Sequence, residues 1–423
     1  MKIRTKKIPF EKIAELKRPK HKDPVRPNIF FRKLIQTISI PDLMAVNFSY
    51  TKTDMERAVD GPYLVLMNHS SFIDFEIAHK ILAKHPFCVV TTSDAFIGMS
   101  WLMRQIGCIP TQKFVNDITL LNDMEYAIKK LNTSVLMYPE ASYTFDGCAT
   151  PLPQGLGRLI QKLGVPVLSI HTEGAFARQP LYNVLQKRNV NVTADISCII
   201  SKEDIEQKSV EELDAILKKA FTFDNFAWQY ENKIKIDEPF RADGLNRILY
   251  KCANCKTEGK MVGKGTKLKC EHCGKEYELD EYGRLKATDG ETEFVHIPDW
   301  YAWERECVKQ ELIDDTYKLD VEVDIGVMVD FKAIYMVGSG RLVHDMTGFT
   351  LTGCDGKLEY RQKPLISYGL YSDYYWYEIA DVISIGNRDI LYYCFPKGGD
   401  VVAKTRIAAE EMYKLCRARR RRS

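Results

Sequence analysis

The 423-residue chain has no run approaching the ~18 consecutive apolar residues of a spanning helix, and its best local stretch, residues 63–67, has the length of a strand. It is therefore not expected to cross a membrane. Behind the basic start Met1-Lys2-Ile3-Arg4-Thr5-Lys6-Lys7 there is no apolar segment of the kind that marks a secretory signal, so export is not expected either. Internal repeats are missing, as are low-complexity tracts apart from an Arg-rich end. Net charge is small, only +3. What is present is 45% hydrophobic, 28% charged and 11% aromatic residues, enough to bury a core, which excludes disordered and fibrous classes. At ~100–200 residues per domain, the length implies two to four domains. The twelve cysteines, spread along a chain without an export signal, fit a reducing compartment, and the expected location is the cytoplasm.

The charge is unevenly placed. Residues 1–36 hold twelve Lys/Arg against Glu11, Glu15 and Asp23, residues 414–422 add six more cations, and the body between them carries −12. Basic ends attract any polyanion. An anionic cytoplasmic membrane surface offers about 1 kcal/mol per Lys/Arg lying close to it, RNA would also attract them, and a solvated tail is the bland alternative. Ile29–Ile38 mixes aromatic, aliphatic and basic residues as interfacial helices do, although a core helix with a basic edge fits the same residues.

Along the chain, a strand-like 63–67 leads through Asn68-His69-Ser70-Ser71 into a helical pattern carrying Ile77, Ile81 and Leu82. The order then repeats: strand 87–92, helix 117–131, strand 134–138, helix 156–163 and strand 165–170, with a β-rich 190–200 and a helical 203–220 after them. This alternation predicts an α/β layered domain with a mostly parallel sheet over 41–245, preceded by a basic amphipathic segment over 1–40. Residues 246–290, with paired cysteines and many lysines, predict a small metal-stapled module. From 291 to 415 the chain is β-rich, with strands expected at 321–329, 333–337, 349–351, 365–370 and 390–395 and a closing helix at 401–415. An Arg-rich tail over 416–423 ends it.

Positions five apart lie ~140° apart around a helix, so His69 can meet Asp74 only from a loop ahead of the helix. The sequence allows this, because Ser71 is a good N-cap and the strand ends just before it. The pair is then placed at the carboxyl edge of the sheet, where open α/β folds build sites. An Asp bonded to one imidazole nitrogen fixes the tautomer and leaves the other as a base for a hydroxyl. Ser71-x-x-Asp74 equally fits a capping-box-like pair that leaves His69 an ordinary loop residue, and the spacing alone leaves both readings open.

Four blocks in order carry a resemblance. They are Asn68-His69-Ser70-Ser71-Phe72-Ile73-Asp74, Gly107-Cys108-Ile109-Pro110-Thr111-Gln112-Lys113, Tyr138-Pro139-Glu140-Ala141-Ser142-Tyr143 and Val165-Pro166-Val167. Residues 61 to about 200 resemble the H-x4-D glycerolipid acyltransferases, the lysophosphatidic acid (1-acyl-sn-glycerol-3-phosphate) acyltransferase family. The resemblance implies that His69 is the general base and that Asp74 orients it. It also implies that the second and third blocks, with Lys113, Glu140 and Ser142, bind the acceptor. The acceptor implied is a lysophospholipid, lysophosphatidic acid foremost, and the acyl donor is acyl-CoA or acyl carrier protein. The chain departs from the family pattern at Ala141 (Gly in the family), Tyr143 (Arg), Pro110 (Phe) and Lys113 (Arg). Arg158 is the candidate to supply the missing cation, the alternative being a helix-surface Arg without a ligand.

Cys252-x2-Cys255-x14-Cys270-x2-Cys273 resembles a zinc ribbon, whose four thiolates hold a structural Zn²⁺ that stabilises the module and takes no part in catalysis. His272 is expected to face solvent. Lys256, Lys260, Lys264, Lys267 and Lys269 suit either nucleic acid or plain solvation. The β-rich end faintly resembles pleckstrin-homology or GRAM domains. Expected overall is a peripheral, cytoplasmic O-acyltransferase of phospholipid biosynthesis. The rivals are a non-catalytic membrane-surface scaffold and a zinc-ribbon nucleic-acid binder, the latter opposed by the acidic body.

Overall fold

Leu64-Val65-Leu66-Met67 is buried on both faces, as a central parallel strand is, and it sits mid-sheet. In this computed structural model, which describes residues 2–115 and 117–422, the first sheet has seven strands. Their order is Ser49–Thr53, Thr193–Ile200, Val167–Glu173, Leu64–Met67, Ser134–Met137, Phe87–Thr92 and Cys108–Thr111. The five from Val167–Glu173 onward are mutually parallel. Thr193–Ile200 runs antiparallel to its inner neighbour and carries Ser49–Thr53 parallel to itself, so the expected parallel sheet has one reversed pair at its edge.

Helix Leu156–Leu163 buries Leu156, Ile160 and Leu163 against Leu64, Leu66 and Val167. Its Gly157 lets helix Val210–Ala220 approach closely, since a Cβ there would lie 2.6 Å from the Val210 carbonyl oxygen. The helical stretch expected over 203–220 is two helices, Lys202–Gln207 and Val210–Ala220. Ser201 and Ser209 each open one with a capping box, and the second cap restarts the chain after an extended Lys208.

A four-stranded antiparallel meander follows, formed by Met261–Lys264, Lys267–Cys270, Glu276–Leu279 and Leu285–Ala287. Its buried Met261, Leu268, Tyr277, Leu279 and Leu285 share one core with Trp300 of helix Ile297–Ile313. The last sheet is antiparallel along its main path, in the order Leu358–Gln362, Gly348–Gly353, Ile334–Asp345, Leu319–Met328, Leu391–Pro396, Ala380–Gly386 and Tyr371–Trp376. No strand forms at 365–370. Pro364–Ile366 is a 3-10 turn with Ile366 exposed, and the strand starts instead at Tyr371.

The ends differ from expectation. Thr5–Lys7 pairs in parallel with Ile334–Asp345, so part of the basic N-terminal segment belongs to the last sheet, followed by the 3-10 helix Phe10–Glu15 and the α-helix Ile29–Ile38. The closing helix runs from Val402 to Arg422, through the Arg-rich stretch expected to be a separate tail. Of the residues expected in the basic ends, Met1 and Ser423 lie outside the described residues, as do the side chains of Arg421 and Arg422. Among the described residues, no helix is long and apolar enough to cross a membrane.

Candidate active site

The strands Leu64–Met67, Phe87–Thr92, Cys108–Thr111 and Ser134–Met137 all end at one edge of the first sheet, and the loops leaving them carry His69, Asp94, Lys113 and Glu140. Asn68, just past the first strand, ties this edge to the next strand. Its Nδ2 donates to the Thr172 carbonyl at 3.2 Å and its Oδ1 accepts the Thr172 N–H at 2.8 Å. That fixes the backbone on which His69 stands.

His69 Nδ1 lies 3.1 Å from Asp74 Oδ2, and the same oxygen accepts the amides of Ser70 (2.7 Å) and Ser71 (3.1 Å). The helix begins at Asp74 itself, and Ser71 is not its N-cap; the Ser71 hydroxyl has no hydrogen-bond partner. The two readings the spacing left open are thus combined, because one carboxylate oxygen holds both the turn amides and the imidazole. With two amides already donating to Oδ2, we assign the shared proton to Nδ1, which leaves the Nε2 lone pair free. Burial raises the Asp74 carboxyl and the two amides oppose the rise. Burial, with Lys113 adding to it, lowers His69 well below its ordinary 6.5, so the ring is neutral at pH 7.

The imidazole is clamped between two aromatic rings, Tyr138 at 3.9 Å and Tyr143 at 3.8 Å between centroids, both stacked. Tyr143 stands where the resembled family has an arginine. It stacks on the imidazole instead of offering a cation. Ala141, at the family's glycine position, has φ +57°. Glycine would adopt that conformation freely, and alanine bears about 1 kcal/mol of strain there. Glu140 is buried; its Oε2 accepts the His69 N–H at 3.0 Å and its Oε1 accepts the Thr150 N–H at 3.0 Å, so it shapes the loop. Burial pushes its carboxyl up to about 7, against those hydrogen bonds.

A cavity of about 760 Å³ opens in front of this dyad, lined by His69, Phe72, Lys113, Tyr138 and Tyr143 and by Tyr371–Trp376 from the last sheet. Lys113 lines the cavity. Ser142 does not; it is buried beneath the loop, where Arg406 of the closing helix donates to its Oγ at 2.7 Å. Arg158 is exposed on helix Leu156–Leu163 and does not line the cavity, so it supplies no missing cation here.

Sequence reasoning missed Arg406 altogether. Its guanidinium, 3% exposed, also donates to the Tyr143 carbonyl at 3.2 Å and to Glu410 at 3.2 Å, and lies 4.2 Å over the Phe145 ring. A helix 263 residues downstream thus pins the loop that clamps His69. Replacing Arg406 with Met is expected to lower kcat/KM of any His69-dependent turnover about 10²-fold, because a loop misplaced by ~1 Å disorders the base. Steady-state kinetics on protein with a retained melting transition check this, and unchanged kinetics would leave Arg406 a purely structural contact.

The second cluster is the four cysteines. Cys252 and Cys273 sulfurs are 3.8 Å apart, as are those of Cys255 and Cys270, and all four lie within 4.8 Å of one another. A disulfide needs about 2.05 Å. A tetrahedron with Zn–S ~2.3 Å has edges of about 3.8 Å, which the Cys252–Cys273 and Cys255–Cys270 separations match. The two CxxC turns are alike: the Lys256 amide donates to the Cys252 carbonyl and the Gly274 amide to the Cys270 carbonyl, each at 2.9 Å, with φ +65° and +79° at the donors. His272 is exposed and contacts Thr257 at 3.3 Å.

The family model for acyltransferases matches residues 49–173. That segment is an acyltransferase domain. Similar to it is the chloroplastic 1-acyl-sn-glycerol-3-phosphate acyltransferase BAT2 of Brassica napus, 26% identical over 152 residues that cover 34% of this chain and 42% of the relative. The match thus spans less than half of that relative's length. Among solved structures, the 1-acyl-sn-glycerophosphate (LPA) acyltransferase PlsC of Thermotoga maritima is similar at 18% identity and a TM-score of 0.36, over 45% of this chain and 76% of that one. His69, Asp74, Lys113 and Glu140 all fall inside the matched segment, whereas Arg406 and the Tyr371–Trp376 wall lie outside it.

Proposed function

We propose that the protein is a peripheral O-acyltransferase moving a fatty acyl group from the thioester of acyl-CoA or acyl carrier protein to the hydroxyl of a lysophospholipid. The observation that carries this reading is the His69–Asp74 pair at the sheet edge, its imidazole neutral and stacked, facing a cavity with apolar walls. Nε2 takes the acceptor's hydroxyl proton as the oxygen attacks the thioester carbonyl. The C–S bond then breaks, and the imidazolium returns the proton to the departing thiolate. Lys113 meets the acceptor's phosphate, and Glu140 keeps the loop in shape.

The membrane-facing element is helix Ile29–Ile38. Its Phe30, Leu34 and Ile38 are exposed, as are nearby Met44 and Trp101, while Arg32 anchors the other side by donating to the Ala83 carbonyl at 3.1 Å. Exposed apolar residues beside Arg26, Lys33 and Lys22 suit an anionic cytoplasmic bilayer surface. The four thiols hold one structural Zn²⁺, which has no part in the acyl-transfer step. The meander around that site is a zinc ribbon, and the last sheet with its closing helix is pleckstrin-homology-like, its main-path order 4-3-2-1-7-6-5, counted along the chain from Leu319–Met328 as 1, supporting that reading.

The test uses purified full chain, vesicles containing a lysophospholipid, and acyl-CoA or acyl carrier protein as donor. Acceptor-dependent release of free thiol, matched one to one by diacyl product, is the expected result. No acceptor-dependent release with either donor overturns the reading.

A further inference from the structure

The cavity wall opposite His69 comes from the last sheet, and its charges bear on which lysophospholipid enters. Lys113 is the only Lys or Arg among the described residues that line the cavity; Asp117, Asp373 and Glu378 also line it. Asp117 caps its own helix by accepting the Thr119 N–H at 2.9 Å. Asp373 accepts the Tyr374 N–H through Oδ1 at 2.9 Å, and its other oxygen makes no hydrogen bond to the described residues. Lys113 Nζ has no carboxylate within 4 Å among the described residues and rests on aromatic faces, 4.5 Å from the Tyr371 centroid and 5.9 Å from that of Tyr143.

Lys113 and Asp373, neither with an ion-pair partner within 4 Å among the described residues, therefore line the same cavity, each the strongest charge acting on the other. Burial raises the Asp373 carboxyl to about 6, with Lys113 opposing, which leaves it ionised at pH 7. A phosphomonoester dianion would meet one buried cation and a facing carboxylate, with no arginine fork at position 143. A headgroup that carries both signs would satisfy both groups, and its ammonium would also suit the tyrosine-rich lining.

Resting on the acyl-transfer reading above, we propose that the acceptor is a lysophospholipid with a zwitterionic headgroup, its phosphodiester met by Lys113 and its ammonium by Asp373 and the Tyr371 and Tyr377 rings. The last sheet is then the part of the protein that selects the acceptor.

The experiment compares kcat/KM for lysophosphatidylethanolamine, lysophosphatidate and a monoacylglycerol, presented in the same neutral vesicles with one acyl-CoA, for the wild type and Asp373→Asn. Expected is a preference of tenfold or more for the zwitterion over each of the others in the wild type. In Asp373→Asn the ratio to lysophosphatidate should fall at least fivefold, with lysophosphatidate turnover rising. A wild type that prefers lysophosphatidate, that uses the monoacylglycerol equally well, or whose ratio Asp373→Asn leaves unchanged overturns the assignment while acyl transfer stands. Absence of turnover with all three acceptors overturns the acyl-transfer reading itself, and the acceptor assignment with it.

Discussion

His69→Ala is expected to lower kcat for acyl transfer by about 10²–10⁴-fold, the usual worth of a positioned general base. Among the described residues that line the cavity, the imidazole is the one group that couples a neutral nitrogen to a buried carboxylate, Nδ1 sitting 3.1 Å from Asp74 Oδ2. Asp74→Asn should lose at least 10²-fold while remaining folded. Oδ2 meets both amides and Nδ1, so an Asn that keeps its oxygen there loses the negative charge that stabilises the imidazolium, and one that turns its NH₂ there opposes both amides and favours the tautomer with the proton on Nε2, which cannot act as base. KM should change little in both variants, since neither side chain is asked to bind the acceptor's headgroup. Single-turnover measurements of acyl-CoA consumption separate chemistry from binding. His69→Ala consuming thioester in an acceptor-dependent way at the wild-type rate would remove the dyad from the reaction.

The parts of this site that were legible in the sequence are those whose partners are close in the chain. His69 and Asp74 are five apart, straddling a strand end and a helix start, and hydrophobic periodicity located both elements. Even there a detail was misread, because the helix starts at Asp74 and not after Ser71, the carboxylate rather than the serine hydroxyl taking the turn amides. The distant half was invisible. Nothing in the local pattern says that Arg406 will lie beneath Ser142, or that Asp373 and Lys113 will line one cavity. The strand bringing Asp373 breaks its own alternation, with a register shift between Asp373 and Trp376 and φ +48° at Tyr375, and so resembles no regular strand. The apolar residues before it, 365–370, look more strand-like but follow a proline and stay partly exposed. The replacement of the family's arginine by Tyr143 was readable as a loss; only the stacking on His69 shows what the tyrosine does instead.

Removing the proposed zinc should have the second-largest effect, on stability. Structural Zn²⁺ in small modules contributes an apparent ~10–16 kcal/mol at pH 7, because the thiolates converge only in the folded chain. The effect should spread in this chain, since the meander is not a free appendage. Tyr277 packs edge-on against Trp300 at 5.0 Å between centroids, and the Trp300 Nε1–H donates to the Lys251 carbonyl at 3.0 Å, one residue before Cys252. Trp300 lies on the helix whose Arg305 pairs with Glu410 at 2.7 Å, and Glu410 in turn accepts from Arg406. Loss of the metal would loosen, in sequence, the meander, that helix and the anchor of the His69 clamp. Elemental analysis of the purified chain should find one zinc per molecule, and the double variant Cys270→Ser/Cys273→Ser should bind none. That variant should melt at a markedly lower temperature and lose acyl transfer even where soluble protein is recovered. Protein that is zinc-free as isolated, with its cysteines reduced and a melting transition matching that of zinc-loaded protein, would show that the four thiols do not staple this fold.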